Sequence, residues 1–201
     1  MDYINSITEA IGHTPLLKLN NIGKDLKANL FVKLEYLNPS GSYKDRMALA
    51  MIDAAQEGHT WNGRRLEKGG VVIEASAGNT APAVSMICAA RGYDAHIYLY
   101  RYQMEDPKNT RLQITRSFGP QVKVSSEPRA YFTEEQIEEF SGKAPDLLHV
   151  LAAKKDCQLE EDSLENAVWL DQIYNPYNYI GQEALGEEIF AQLDGHIDAV
   201  G

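Results

Sequence analysis

The sequence predicts an α/β protein built on a parallel sheet, and three observations carry that prediction. Val71–Ala75 is a short run of strand-forming residues, apolar except for Glu74, of the kind buried inside an α/β sheet. A helix pattern rich in small residues, Ala81–Arg91, follows it and leads to a second apolar strand, Ala95–Tyr100. The alternation then repeats with a helical stretch over 106–118 and a strand over Gln121–Ser125. This spacing marks βαβ units, whose strands run parallel and whose crossovers are right-handed.

The elements read in order as follows. Ser6–Ile11 is a short helical turn ended by Gly12. Thr14–Leu19 is a strand opening on a proline, and Ala28–Leu34 is a second strand. A turn, Asn38–Gly41, runs into an amphipathic helix over Tyr43–Gln56, stopped by Gly58. Trp61–Gly70 is a polar loop before the βαβ region. Beyond it the pattern weakens. Glu134–Phe140 is helical in type, and Leu147–Ala152 reads as a short strand. Asp156–Asn166 is strongly acidic and reads as a solvated face. Ala167–Gln172 is helical in pattern, Gly181–Leu193 is an amphipathic helix, and Ile197–Gly201 reads as a strand beginning.

Composition narrows the function classes. The 201 residues carry 19 basic and 29 acidic side chains, a net charge of −10, which disfavours nucleic-acid binding because phosphate contacts need a basic surface. No apolar run approaches the roughly 18–20 residues that span a bilayer, so no membrane association is expected. The N-terminus has no basic region followed by an apolar core, and two cysteines make no disulfide framework, so the expected location is cytoplasmic. The five histidines are scattered without ligand spacing, and no metal is expected.

Two stretches carry chemistry. In Asn38-Pro39-Ser40-Gly41-Ser42-Tyr43-Lys44-Asp45-Arg46, Lys44 falls in the first turn of a helix, where the macrodipole disfavours a cation. That placement assists a neutral amine, the form a Schiff base with a carbonyl cofactor requires. The plainer reading is a helix capped by Ser42, with Lys44 merely solvated. In Ser76-Ala77-Gly78-Asn79-Thr80, a turn joins the end of a buried strand to a helix N-terminus, where backbone N–H groups bind anions. The plainer reading there is again a cap. Glu74 reads as structural.

Taken together, Ile11-Gly12-His13-Thr14-Pro15-Leu16, Lys33-Leu34-Glu35, the Lys44 stretch and Glu74–Thr80 resemble the cysteine synthase and cystathionine β-synthase family in order and spacing. The resemblance is strong over 5–100, weak over 101–165, and returns at Asp171-Gln172-Ile173-Tyr174-Asn175-Pro176 and Gly186-Glu187-Glu188-Ile189. It implies the pyridoxal-phosphate fold type II (tryptophan synthase β-like). Residues 1–45 would then begin a large lobe. Residues 46–165 would form a small mobile lobe with an acidic insert at about 126–165, and 166–201 would return to the large lobe. It implies pyridoxal 5′-phosphate held by Lys44 as a Schiff base, and Asn79 bonded to the ring oxygen. Ser76, Ala77, Gly78, Thr80 and Gln172 would hold the carboxylate of a small amino-acid substrate. The implied reaction is β-replacement or β-elimination on a serine-like amino acid through an aminoacrylate, in a homodimer.

The sequence departs from the family in four places, the largest of them at its end. Ser76-Ala77 stands where Thr-Ser is usual, which removes one hydroxyl. Tyr43 replaces a smaller residue, and 126–166 replaces a Gly-Met-rich loop that shapes the substrate pocket. The family's glycine-rich phosphate loop follows the strand resembling Ile197–Gly201, so the sequence reads as truncated before it. The competing reading is a truncated, non-catalytic relative that serves as a binding or scaffolding protein.

Overall fold

A four-stranded sheet with strand order β5-β4-β3-β6 organises the molecule, and all its pairs are parallel. Its strands are β3 (Val71–Ala75), β4 (Asp94–Leu99), β5 (Gln121–Val124) and β6 (Ala167–Trp169). The computed structural model describes residues 3–76, 78–100, 104 and 108–201. A separate antiparallel pair joins β1 (Leu16–Lys18) to β2 (Phe31–Lys33), with Leu16 opposite Lys33. The longer helices among the described residues are α1 (Lys44–Glu57), α2 (Thr80–Arg91), α3 (Thr110–Ser117), α4 (Glu134–Ser141), α5 (Pro145–Ser163) and α6 (Tyr177–Gln192).

Period-two alternation along the strands divides the core. Val72 and Val168 point into the larger cluster, which also holds Met47, Met51 and Ile52 of α1 and Val84 and Ile87 of α2. Ile73, Ala167 and Trp169 point to the other face, where Cys157 of α5 packs. Helices therefore cover both faces of β3, as its apolar sequence requires. Helix α1 ends where Gly58 takes a left-handed backbone (φ 81°) and returns its N–H to Ala54 and Ala55.

Helix α6 lies against α1 at Gly181. A Cβ built there would sit 2.6 Å from Ala50 Cβ and 2.8 Å from the Arg46 carbonyl oxygen, so only glycine permits this approach. The crossing is tied by ions as well. Arg46, 5% exposed, donates to Glu35 (2.8 and 3.0 Å) and to Glu188 of α6 (2.7 and 2.8 Å). Lys33 adds a bond to Glu188 at 2.7 Å. Burial alone would raise the Glu188 pKa, but the bonds from Arg46, Lys33 and the His13 N–H outweigh it and hold the group well below the usual carboxylate range.

Four expectations are corrected. Leu147–Ala152 is not a strand but part of the 19-residue helix α5. Leu148, Ala152, Ala153, Asp156, Cys157 and Glu161 are buried at helical spacing, a 3.6-residue period that outlasts the local apolar run. Ala167–Gln172 is not helical: its first three residues form β6, because parallel pairing with Val71–Ile73 overrides the local pattern. The acidic run over 156–166 is not simply solvated. Glu161 is fully buried and accepts from the Trp169 N–H and the Asn62 amide, both at 2.9 Å. Asp156 accepts from Ser126 N (2.6 Å), Ser126 Oγ (2.8 Å) and Tyr131 Oη (2.5 Å). No strand forms over 197–201, and the segment joins neither sheet of the described residues.

Candidate active site

Helix α1 starts at Lys44, after a turn locked from below. The Asp45 carboxylate, fully buried, accepts from the Ser40 backbone N–H at 2.8 Å and from the Ser40 hydroxyl. Asn38 spans the same turn, its Oδ1 accepting from Gly12 N–H at 2.8 Å. Ser42 Oγ accepts from the Lys44 N–H at 3.1 Å, which satisfies one of the helix's first donors. The Lys44 side chain therefore leaves a rigid base. Its amine lies 4.7 Å from the Tyr43 ring centroid and makes no hydrogen bond among the described residues.

Lys44 opens onto a cavity of about 330 Å³, at the lower end of the range for small-molecule sites. The carboxyl end of β3 and the start of α2 form its opposite wall, with Ser76, Gly78, Asn79 and Thr80, and Gln172 closes it from beyond β6. This is the crevice at strand carboxyl ends where open α/β sheets take ligands. Among the sequence-expected site residues, Lys44, Ser76, Gly78, Asn79, Thr80 and Gln172 thus share one cavity; Ala77 lies outside the described residues. Gly78 faces open space, for a Cβ there would meet nothing within 4 Å.

The polar bonds in this wall are specific. Ser76 Oγ accepts from the Gly78 N–H at 3.2 Å. The Thr80 hydroxyl donates to Gln172 Oε1 at 2.6 Å, and Gln172 Nε2 donates to the Ala75 carbonyl at 3.0 Å and Glu74 Oε1 at 3.4 Å. Gln172 is therefore a brace between Thr80 and the strand end, with its own donors engaged. Glu74 also accepts from Ala75 N–H (2.9 Å) and Gln172 N–H (3.2 Å). Burial dominates those bonds and pushes its pKa up to about 8.

A family profile described as pyridoxal-phosphate dependent enzyme matches residues 7–201. The chain belongs to that family. It is 33% identical over 198 residues to a cysteine synthase 1 of Emericella nidulans, covering 98% of this chain and 46% of the relative. It is 34% identical to a putative mitochondrial cysteine synthase of Saccharomyces cerevisiae, covering 96% and 45%. The chain thus spans about half the length of these curated relatives. Its structure superposes with a TM-score of 0.76 on a hydrogen sulfide-producing enzyme from Fusobacterium nucleatum, at 28% identity over 98% of this chain and 56% of that one. A cysteine synthase from Entamoeba histolytica shares the fold, at a TM-score of 0.75 and 23% identity.

Within this pyridoxal-phosphate dependent fold the cavity holds residues that sequence reasoning missed. Val150 and Lys154 of α5 line it, four residues apart on one helix face. Recognising 147–163 as one helix would have placed them together. Lys154 is a second cavity lysine, but its amine is committed to Asp171 at 2.8 and 3.1 Å and stands 4.0 Å from the Tyr174 ring centroid. Asp171 turns toward it through a left-handed backbone (φ 46°), which no sequence pattern announces. Among the described residues no group of three or more His, Cys, Asp or Glu side chains gathers to hold a metal ion. No helix among them is long and apolar enough to cross a membrane.

Proposed function

We propose that the protein takes part in pyridoxal-phosphate-dependent β-replacement or β-elimination on a serine-like amino acid, as a cysteine synthase-like enzyme. One observation carries this reading: an amine with no hydrogen-bond partner among the described residues shares a cavity with the Ser76–Thr80 turn. The residues present suit the cofactor on its reactive side. Lys44 offers the nucleophilic amine, Asn79 a side-chain amide, and Gly78 an unobstructed backbone. When bound, the cofactor supplies an electron sink for charge developing at the substrate Cα.

The chain's own residues do the rest. Lys44 anchors the cofactor through its amine and moves the proton at the substrate Cα. Asn79 donates to the ring oxygen. Ser76, the 77–79 backbone and Thr80 hold the substrate carboxylate at the N-terminus of α2, for which the Gly78 N–H turns from Ser76 Oγ to the ligand. Gln172 supports that wall through Thr80, and its amide adds a donor only by giving up Ala75 or Glu74. In this reading residues 1–45 and 166–201 belong to a large lobe and 46–165 to a mobile one. The exception is β6 (Ala167–Trp169), which pairs with β3 and so belongs with the mobile lobe's sheet rather than with the rest of 166–201.

A cytoplasmic homodimer acting on a small amino acid completes the proposal. Fractionation and light scattering test those two points. For the chemistry, the protein is mixed with pyridoxal phosphate and its visible absorption recorded, then O-acetylserine and sulfide are added and thiol product measured. The proposal expects a visible band and turnover that both vanish in Lys44→Ala. A band that survives Lys44→Ala would sink it.

A further inference from the structure

Asn79 is held from outside the cavity that it lines. Its Oδ1 accepts from Nε of Arg111, in the first turn of α3, at 2.9 Å. Helix α3 is itself well anchored. Leu112 and Thr115 are buried against α2, the Thr115 hydroxyl returns to the Arg111 carbonyl at 2.7 Å, and Asn109 caps the helix through the Leu112 N–H. Arg111 thus stands on a fixed backbone although its head is exposed to solvent.

Arginine has donors and no acceptor. Whatever faces it must be the amide oxygen, and the amide –NH₂ must face the other way. An asparagine amide without such a partner turns over readily, exchanging a donor for an acceptor at nearly the same place. In the function proposed above, on which this inference rests, the ring oxygen of pyridoxal phosphate is an acceptor that carries negative charge. A donor there helps, and a carbonyl oxygen repels.

We infer that Arg111 is a positioning residue that sets the Asn79 amide so that Nδ2, not Oδ1, is presented to the cofactor ring. Neither residue's sequence position suggests the pairing, since 32 residues, with helix α2 and strand β4 among them, separate the two.

The test compares wild type, Arg111→Met, Arg111→Lys, Asn79→Ala and the Asn79→Ala/Arg111→Met double variant, each titrated with pyridoxal phosphate. Two quantities are read: the dissociation constant, and the pH midpoint of the visible band. The expected result is about three- to tenfold weaker binding in Arg111→Met, the range that one modest hydrogen bond commands. Its pH midpoint moves in the same direction as that of Asn79→Ala, and Arg111→Lys restores part of both. In the Asn79→Ala background the Arg111 change has no further effect, as expected of a coupled pair. Wild-type values in Arg111→Met, or an Arg111 effect undiminished in the Asn79→Ala background, would overturn the inference while leaving the proposed function standing. Absence of a Lys44-dependent band in the wild type would overturn both.

Discussion

Arg46 lies two residues past Lys44, and replacing it with methionine tests how the start of α1 is held. Methionine keeps most of the packing of the stem but leaves Glu35 and Glu188 facing each other without the guanidinium that bridges them. Removing one partner of a buried ion pair costs about 3–5 kcal/mol. Here Lys33 still reaches Glu188, while Thr14 and Asn38 still bond Glu35. The expected loss is therefore at the lower end, about 3 kcal/mol at pH 7. The pH dependence follows from the same groups. Burial raises both carboxyl pKa values, but hydrogen bonds and the Arg46 charge outweigh it, so Glu35 and Glu188 sit below their ordinary range. Groups depressed in the folded state contribute stability above their unfolded pKa and lose it as pH falls through the folded one. In Arg46→Met those carboxyls lose the largest of the contributions that depress them, burial weighs more, and protonation relieves them. The gap between wild type and variant should narrow from pH 7 to pH 4. Urea unfolding followed by circular dichroism measures it. A loss under about 1 kcal/mol at pH 7, or a gap unchanged at pH 4, would show that Arg46 does not hold the two carboxylates in this way.

Gly181→Ala should destabilise by about 1–3 kcal/mol through overpacking against Ala50 and the Arg46 carbonyl, despite alanine's better helix propensity; thermal melts check it, and an unchanged or higher Tm contradicts the close α1–α6 approach. Glu74→Gln should change the pH profile in the opposite sense to Arg46→Met. With its pKa pushed up to about 8 by burial, Glu74 favours the folded state most below its unfolded pKa, and that contribution is lost as pH rises toward 8. Wild-type Tm should therefore fall relative to Glu74→Gln between pH 5 and pH 8.5, and parallel curves would count against it. Glu161→Ala should cost about 2–3 kcal/mol, because it strands the buried Trp169 N–H and the Asn62 amide; chemical unfolding reads this directly.

The βαβ core was legible because its signal is local and repeated. Val71–Ala75 and Ala81–Arg91 are apolar enough that burial follows from composition alone. What failed was whatever depended on a distant partner. Ala167–Trp169 is a strand only because β3 offers a parallel edge almost 100 residues earlier in the chain. The acidic stretch of α5 looked solvated because sequence does not reveal that Glu161 meets Trp169 and Asn62. At the site, Lys44 and the 76–80 turn stood out in the sequence by their places at helix starts, and their expected roles came from the family resemblance. Lys154, Asp171 and Arg111 were not, since each acts through a tertiary contact with no local mark. Gln172 lay where it was expected, but its bonds show a brace for Thr80.

Two lysines line the cavity, and only one of them has an unpaired amine among the described residues. The decisive measurement is therefore the site of attachment. Pyridoxal phosphate is added, the adduct is reduced with borohydride, and the labelled peptide is sequenced by mass spectrometry. A single modified residue is expected, Lys44, with Lys154 unmodified behind its bond to Asp171. Label on Lys154, or spread evenly over surface lysines, would contradict it.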